Sequence, residues 1–382
     1  MNDGQTGAPI PVLDLGPEIE AIWEEVSEVA RRVLRSGHFV GGPEVAGFEA
    51  EAAAYLGVEH AVGLNSGTDA LVIGLRALGI EPGDEVITSP FTFFASPESI
   101  GIVGAREVFA DVDLDSFNID PQRVEDAISP RTRALMPVHL FGRPADMDAI
   151  SDIASRHGLT VIEDCAQSFG ARFESGSRYA GRQTGGAGDV GAFSFYPTKN
   201  LGGFGDGGLL VTDDAGVADR ARRLRDHGSA RRNENESLGY NSRLDALQAA
   251  LLRVKLPRID ANNDGRRAAA VRYDELFEDL EGVIVPEVAP GHVFHQYTIR
   301  LPDGRREAVR TALADASIGS MVYYPIPCHA LPVYADRGIS MPVAERLAAE
   351  VLSLPIWPAI EATAQERVRD VIARELRQSD SA

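Results

Sequence analysis

One lysine stands out in the stretch GAFSFYPTKNLGGFGDGGLL, which covers residues 191–210. The chain has 382 residues and 37 basic side chains, and only Lys199 and Lys255 among them are lysines. A lysine can lose its proton in a suitable pocket and act as a nucleophile or base, whereas arginine stays protonated. We therefore expect position 199 to require the chemistry of an amine. Lys255 lies in the amphipathic stretch LDALQAALLRVKLPRI and is interpreted as a surface residue.

Two acidic residues end the β-rich run TVIEDCAQ and could supply the second part of a site. Glu163 and Asp164 point to opposite faces of the predicted strand, and Gln167 follows one turn later. In open α/β sheets, ligands bind beyond the carboxyl ends of the strands. A carboxylate at that place can keep a ring nitrogen protonated, as an electron-sink cofactor requires. A capping acid in the turn after the strand explains the same residues equally well.

A possible phosphate site follows from the stretch GLNSGTDAL, which places a short turn before a helix that begins at Gly67 or Thr68. The free backbone N–H groups and the dipole at such a helix start favour a phosphate group. An ordinary helix cap is the preferred explanation when this motif is taken alone. The glycines within residues 202–208 would allow the backbone to approach a ligand closely.

These residues must be positioned by elements that alternate along the chain. β-Rich runs are separated by segments with helical spacing, such as 68–78 and 146–157. This order predicts right-handed crossovers and an α/β fold with a mainly parallel sheet that is covered on both faces. The predicted strands are 60–65, 84–90, 106–112, 133–141, 160–166, 190–196 and 208–212.

Two domains are predicted, with their boundary at residue 255. The larger domain covers residues 1–255 and includes an N-terminal arm, residues 1–39. Residues 257–264, PRIDANND, break the apolar pattern at the start of a smaller α+β domain, residues 256–382. The elements predicted for this domain are strands at HQYTIRL and SMVYYP and helices at 342–352 and 362–377.

Composition narrows the possible classes of protein. The net charge of −20 disfavours nonspecific binding to nucleic acid, whose phosphates are attracted by basic surface. The N-terminus lacks the pattern of a signal peptide, and no apolar stretch is long enough to span a membrane. The two cysteines lie far apart without clustered histidines, which argues against a disulfide framework and a metal site. A cytoplasmic protein without metal, nucleic-acid or membrane partners is predicted.

The motifs of the chain occur in an order that resembles the DegT/DnrJ/EryC1/StrS family of sugar aminotransferases, which use pyridoxal 5'-phosphate (PLP). The resemblance extends from IPVLDLGPE near the start to LSLPIWP near the end. It implies an aspartate-aminotransferase-like fold, which is fold type I of the PLP enzymes. The motifs that carry it are NSGTDAL, PVHLFG, IEDCAQSFGA, FSFYPTKNLG, GDGG and GYNSRLDALQAA.

The resemblance implies roles for individual residues around the cofactor. Lys199 matches the lysine that binds PLP through a Schiff base, and Asp164 matches the acid that pairs with the pyridinium nitrogen. Gln167 matches a residue near the ring and its 3-oxygen, and Phe93 matches an aromatic side chain against the cofactor face. The residues implied for the phosphate cradle are Ser66, Gly67 and Thr68 at the helix start and Ser194.

A homodimer with shared active sites is also implied. Asn241 in GYNSRLD matches a residue that reaches the phosphate bound by the partner subunit. The candidates for the sugar pocket are Arg243, which belongs to an arginine-rich segment, Tyr324 and His329. Packing inside the smaller domain explains Tyr324 equally well, because strand tyrosines are often buried.

The implied reaction moves an amino group, expected to come from L-glutamate, to a keto-sugar on a nucleotide diphosphate, with pyridoxamine 5'-phosphate as intermediate. GYNSRLDALQAA and YYPIPCH are most similar to relatives that aminate C-3 of TDP- or UDP-linked 3-keto sugars. A C-4-specific aminotransferase is the close alternative. A PLP- or pyridoxamine-phosphate-dependent sugar dehydratase of this fold would have histidine in place of Lys199. A non-catalytic regulatory protein would not need Lys199, Asp164 and Gln167.

Overall fold

The computed structural model of the protein describes residues 8–231, 233–289 and 291–379. A seven-stranded sheet lies at its centre, and each strand falls on one of the seven predicted β-rich runs. The strands are β1 (His60–Leu64), β2 (Glu85–Thr88), β3 (Arg106–Phe109), β4 (Thr132–Met136), β5 (Thr160–Asp164), β6 (Val190–Ser194) and β7 (Gly208–Thr212).

The strand order in this sheet is β1-β7-β6-β5-β4-β2-β3. The pairs β2–β3, β2–β4, β4–β5 and β5–β6 are parallel, whereas β7 runs antiparallel to both β1 and β6. Gly208 at the start of β7 pairs with Leu64 of β1 and with Ser194 of β6. The glycine-rich loop between β6 and β7 therefore lies at the carboxyl edge of the parallel strands. The predicted mainly parallel α/β sheet is confirmed.

Helices cover both faces of the sheet because its strands are apolar on both sides. Phe193 of β6 and Leu209 of β7 pack into one buried cluster, while Ala192 and Leu210, their neighbours in sequence, pack into another. The helices up to residue 255 are α1 (Gly16–Ala21), α2 (Trp23–Ser36), α3 (Gly42–Leu56), α4 (Gly67–Ala77), α5 (Ala95–Ile102), α6 (Pro121–Asp126), α7 (Met147–His157), α8 (Ala215–Arg225) and α9 (Ala246–Lys255).

The C-terminal part of the chain has a hydrophobic cluster in which Tyr273, Tyr297, Leu352 and Ile372 are buried, and Ile10 from the N-terminal segment joins it. Its two strands pair antiparallel. The division into domains at residue 255 stays a prediction. A short antiparallel pair precedes this part, β8 (Ser229–Arg231) and β9 (Glu234–Asn235). The remaining elements are α10 (Ile259–Phe277), β10 (Tyr297–Arg300), α11 (Arg306–Asp315), α12 (Pro342–Glu350), β11 (Val351–Leu354) and α13 (Ala362–Ser379), with 3₁₀ turns at Leu140–Gly142, Leu256–Arg258, Cys328–Ala330 and Ala335–Arg337.

The helix expected after residues 257–264 begins earlier, because α10 starts at Ile259, directly after the 3₁₀ turn Leu256–Arg258 that separates it from α9. Asn263 is buried, donates a hydrogen bond to the Phe169 carbonyl oxygen and accepts one from Asn200. The polar Asn263 therefore marks a packed contact between elements.

The predicted strand SMVYYP is wrong. Met321 forms a bridge with Ser353, but Tyr324 adopts a positive φ of 61°, which a continuing strand does not allow. None of the helices within the described ranges is both long and apolar enough to cross a lipid bilayer.

Candidate active site

A cavity of about 530 Å³ opens at the carboxyl edge of the parallel strands. Strands β5 and β6, the start of α4, the loop after β6 and the C-terminal part of the chain all contribute to its wall. The lining residues are Ser66, Gly67, Thr68, Leu71, Thr92, Phe93, Ala95, Val138, Asp164, Ala166, Gln167, Ser194, Tyr196, Thr198, Lys199, Asp206, Gly207, His295, Gln296, Tyr323 and Tyr324.

Lys199 lies in a tight turn just after β6. Its backbone N–H donates to the Tyr196 carbonyl oxygen at 2.8 Å, and the Phe195 carbonyl accepts from Gly203 at 2.8 Å. Burial lowers the pKa of Lys199 to about 8, although the charge of Asp164 opposes this shift. The neutral amine, which is the form that acts as a nucleophile, is therefore much more populated near neutral pH than in an ordinary lysine.

Asp164 is the last residue of β5 and is buried at the cavity wall. Its Oδ2 accepts a hydrogen bond from the Ser96 hydroxyl at 2.7 Å, and its Oδ1 accepts one from the Ala166 N–H at 3.1 Å. Burial raises the pKa of Asp164, and these hydrogen bonds oppose the rise. The bond to Ala166 matches the turn-capping interpretation, but the same carboxylate also faces the cavity.

Helix α4 begins against β6 at the other side of the cavity. The Ser66 hydroxyl caps this helix by accepting from the Asp69 N–H at 3.1 Å, so the capping interpretation is correct as far as it goes. A Cβ atom on Gly67 would lie 2.7 Å from the Ser194 Cβ, so only glycine allows this close approach. The first N–H groups of a helix have no acceptor within it. Ser194 therefore stands beside N–H groups that can receive an anion.

Gln167 connects the β5 edge to the C-terminal part of the chain. Its Oε1 accepts from the Phe141 N–H at 2.6 Å, and its Nε2 donates to the Tyr324 hydroxyl at 2.7 Å. The Tyr324 ring stacks on Phe141 at 6.1 Å between centroids and meets the Phe91 ring edge-on at 5.6 Å. Tyr324 is thus both a lining residue of the cavity and a packed aromatic side chain, and both interpretations from sequence describe part of its position.

Phe93 also lines the cavity, and its side chain is 63% exposed. An exposed aromatic ring at a cavity mouth can cover a planar ligand.

Three of the residues predicted for the site lie away from this cavity. Asn241 is exposed and forms a backbone bridge with Asp226, and Arg243 forms an ion pair with the same aspartate at 2.8 Å. His329 lies in a 3₁₀ turn whose Cys328 N–H donates to the Pro90 carbonyl oxygen, and it is not among the residues that line the cavity. The His329 ring is buried, with Nε2 3.2 Å from Glu345 Oε1.

Several lining residues were not predicted from sequence, and His295 and Gln296 are the most notable. His295 Nδ1 lies 3.1 Å from the Asn200 side-chain oxygen, and burial lowers the pKa of His295 well below its ordinary value. The Gln296 Oε1 atom is buried without a hydrogen-bond partner among the described residues. Both residues come from the stretch before β10, so only the folded chain brings them to Lys199.

Glu163, the neighbour of Asp164, does not line the cavity and is held by hydrogen bonds inside the protein. Its carboxylate accepts from the N–H groups of Gly185, Ala187 and Gly188 at 2.7–2.9 Å and lies 2.9 Å from His139 Nε2. Burial favours the neutral acid, but these hydrogen bonds outweigh it and lower the pKa of Glu163.

Glu163, His139 and Cys165 lie close enough together to hold a metal ion. Since His139 Nδ1 accepts from the Ala145 N–H, its other nitrogen must donate to Glu163, which leaves that atom without a lone pair for a metal. The absence of a metal stays a prediction.

The geometry agrees with the family comparison. The model of the DegT/DnrJ/EryC1/StrS aminotransferase family matches residues 20–373. The chain belongs to this family. The family predicted from the motifs is therefore confirmed.

Three curated relatives of this aminotransferase are 46% identical to it. One is named a pleiotropic regulatory protein, from Geobacillus stearothermophilus, with 95% of this chain and 98% of the relative covered. A second is the dTDP-3-amino-3,4,6-trideoxy-alpha-D-glucose transaminase of Streptomyces venezuelae, with 95% of each chain covered. A third is the UDP-N-acetyl-3-dehydro-alpha-D-glucosamine 3-aminotransferase of Acidithiobacillus ferrooxidans, with 96% of this chain and 98% of the relative covered.

A solved structure shows the same fold. The crystal structure of S. venezuelae DesV in complex with a ketimine intermediate superposes with a TM-score of 0.91 at 46% identity, covering 96% of this chain and 98% of that chain. The predicted α/β fold of a PLP-dependent aminotransferase is confirmed.

Proposed function

We propose that this aminotransferase uses PLP to move an amino group from L-glutamate to C-3 of a TDP- or UDP-linked 3-keto sugar. One observation carries the proposal: the amine of Lys199, the carboxylate of Asp164 and the start of α4 all face a single cavity. An amine, an acid and an anion site in this arrangement are what a phosphate-bearing ring cofactor requires.

The residues present fit PLP at each of its functional groups. When bound, PLP supplies an electron sink for the carbon that loses its proton. Asp164 would hold the ring nitrogen protonated, and Ser96 and Ala166 orient its carboxylate by hydrogen bonds. The cofactor phosphate would be held by the N–H groups of Gly67 and Thr68 together with the hydroxyls of Ser66 and Ser194. We place Phe93 against the ring face and Gln167 near the ring oxygen.

Lys199 has two proposed tasks in the same cavity. Its amine binds the cofactor in the resting protein, for which the neutral form that burial favours is needed. With an amino donor in the cavity, the freed amine would take the proton from the donor Cα. In the second half of the reaction it would deliver a proton to the sugar carbon, and the cofactor, as pyridoxamine 5'-phosphate, would carry the amino group between the two halves. Arginine at this position could do neither.

The position of amination is supported by the relatives. The S. venezuelae and A. ferrooxidans proteins are both named for an amino group at C-3 of a nucleotide-linked sugar. Tyr324 and Gln296 line the cavity and can form hydrogen bonds with sugar hydroxyls. Arg243 does not line the cavity of its own subunit, and it forms an ion pair with Asp226.

A panel of substrates tests this specificity. We expect the purified protein to form 2-oxoglutarate from glutamate with TDP- or UDP-linked 3-keto sugars, and we expect product NMR to place the new amine on C-3. The matched 4-keto sugars should react far more slowly. An amine at C-4 would identify the C-4-specific alternative, and water loss without amine transfer would identify a dehydratase.

A purely regulatory protein is the competing class, because the G. stearothermophilus relative is named a regulatory protein. Such a protein has no need for a buried amine of lowered pKa beside a buried carboxylate, since both groups are costly to bury. Perturbed groups gathered in one cleft favour catalysis.

We also propose a cytoplasmic homodimer in which Asn241 of each subunit serves the partner's cofactor. Asn241 is exposed and lies outside the lining of its own cavity. Large apolar side chains are exposed nearby: Leu238 is 96% exposed, and Val40, which is 57% exposed, forms a bridge with Asp245. Exposed apolar surface of this kind is typical of a protein–protein interface.

Mixing two inactive variants tests the shared site. We expect Lys199→Ala and Asn241→Ala chains to complement each other after joint refolding, because a heterodimer places both lesions in one site and none in the other. Random pairing would leave about a quarter of the sites intact. If each site is built by one chain, every site carries one lesion, and the mixture shows only the average of the parent activities.

A further inference from the structure

Lys255, the second lysine of the chain, is buried, although its sequence pattern indicated a position at the surface. Only 5% of the surface of Lys255 is exposed to solvent. Its Nζ donates to the Gly202 carbonyl oxygen at 2.7 Å, lies 2.9 Å from Glu18 Oε1 and stands 5.8 Å from the centre of the Phe204 ring. A buried ammonium group is tolerated only with such partners. These partners join α9 to α1 and to the glycine-rich loop.

Gly202 connects Lys255 to Lys199. A Cβ atom on Gly202 would clash with the Pro197 carbonyl oxygen and would lie 3.1 Å from the Lys199 carbonyl oxygen. The backbone of Gly202 thus rests directly on the turn that presents Lys199. A hydrogen bond that fixes the Gly202 carbonyl also fixes the position of that turn.

Glu18 supplies the negative charge of this arrangement from the N-terminal helix α1. Its side chain is 16% exposed. It also affects Arg266: burial lowers the pKa of Arg266 to about 10, and the charge of Glu18 opposes this shift. Arg266 is buried and points to the carbonyl oxygen of His295, a lining residue of the cavity. One carboxylate therefore supports two buried cations behind the site.

We infer that Lys255 is a positioning residue, whose ammonium group, neutralised by Glu18, holds the Gly202 carbonyl and so fixes the loop that presents Lys199. The inference rests on the proposed role of Lys199 as the reacting amine. It also explains why this position is not arginine. A compact ammonium can direct its donors to a carbonyl and a carboxylate on different sides, whereas a guanidinium donates within one plane.

The reactivity of Lys199 towards acetic anhydride tests the inference in the full-length, cofactor-free protein. With only two lysines, mass spectrometry assigns each acetyl group, and the rate against pH gives the pKa of Lys199. In Lys255→Met, we expect this pKa to rise by about one unit because a loosened loop admits water to the amine. Burial and Asp164 are the causes of the native pKa shift, so the lost charge of Lys255 is not expected to change it directly. An unchanged pKa in folded Lys255→Met overturns the inference.

Arg300→Met is the matched control. Arg300 is also a buried cation, with Glu350 at 3.2 Å, but it lies outside the cavity lining. We expect this control to lose stability and to keep the native pKa of Lys199. If Lys255→Met does not fold, the same measurement on Glu18→Gln tests the inference. A rise in the pKa of Lys199 of less than about one unit supports the inference, and an unchanged pKa of Lys199 overturns it. Because the labelling needs no turnover, failure of the sugar assay and failure of this inference are separate results.

Discussion

Lys199→Ala should abolish amine transfer, with kcat lowered by about 10⁴-fold or more, because one substitution removes both the cofactor-binding amine and the base. We expect the variant to fold, since among the residues that the structure describes no hydrogen-bond partner of the Lys199 side chain would be left unpaired. Formation of 2-oxoglutarate from glutamate measures the effect.

Lys199→Arg is the matched control for charge and length. It keeps a cation near Asp164 but cannot provide a neutral amine. We expect it to be as inactive as Lys199→Ala. Activity in either variant near that of the wild type would show that the amine at position 199 takes no part in the reaction.

Asp164→Asn should leave the fold intact and lower kcat by about 10²-fold or more. The amide is of similar size: its oxygen can accept the hydrogen bond from the Ala166 N–H, and its NH2 group can donate to the Ser96 hydroxyl. It carries no negative charge, however, and so cannot keep the ring nitrogen protonated, which removes electrostatic stabilisation at the reacting centre. Single-turnover measurement of amine transfer from glutamate, at saturating cofactor, separates this effect from weaker cofactor binding.

Ser96→Ala provides the comparison for Asp164→Asn. It removes one hydrogen bond to the Asp164 carboxylate and leaves the charge in place. We expect a loss of about tenfold, in line with one hydrogen bond to a charged group. Equal losses in the two variants would mean that the orientation of Asp164 matters and its charge does not. Full activity in Asp164→Asn would assign the acid to the turn alone.

The sequence predicts the large sheet well for a physical reason. Each parallel strand is a short apolar run between turn residues, and crossover helices must separate such runs. The same argument places Asp164 at the end of β5 and Gly67 at the start of α4, since both positions depend on local order along the chain. Lys199 was identified from composition, because all but two of the 37 basic residues are arginine.

The contacts that the sequence did not predict are those between side chains from distant segments of the chain. Nothing near Ser96 in the sequence indicates a contact with Asp164, 68 positions away. Lys255 has a spacing typical of an amphipathic surface, but Glu18 and Gly202 make its burial possible. His329 was a candidate for the sugar pocket, whereas it is buried in the 3₁₀ turn after Pro327. Such contacts depend on tertiary packing and not on local pattern.

Reductive labelling tests the central claim most directly, because the protein has only two lysines. Protein saturated with PLP is treated with borohydride, digested and mapped by mass spectrometry. We predict that the pyridoxyl group is found on the peptide that contains Lys199. A pyridoxyl group on Lys255, or no adduct in the saturated protein, would contradict the account.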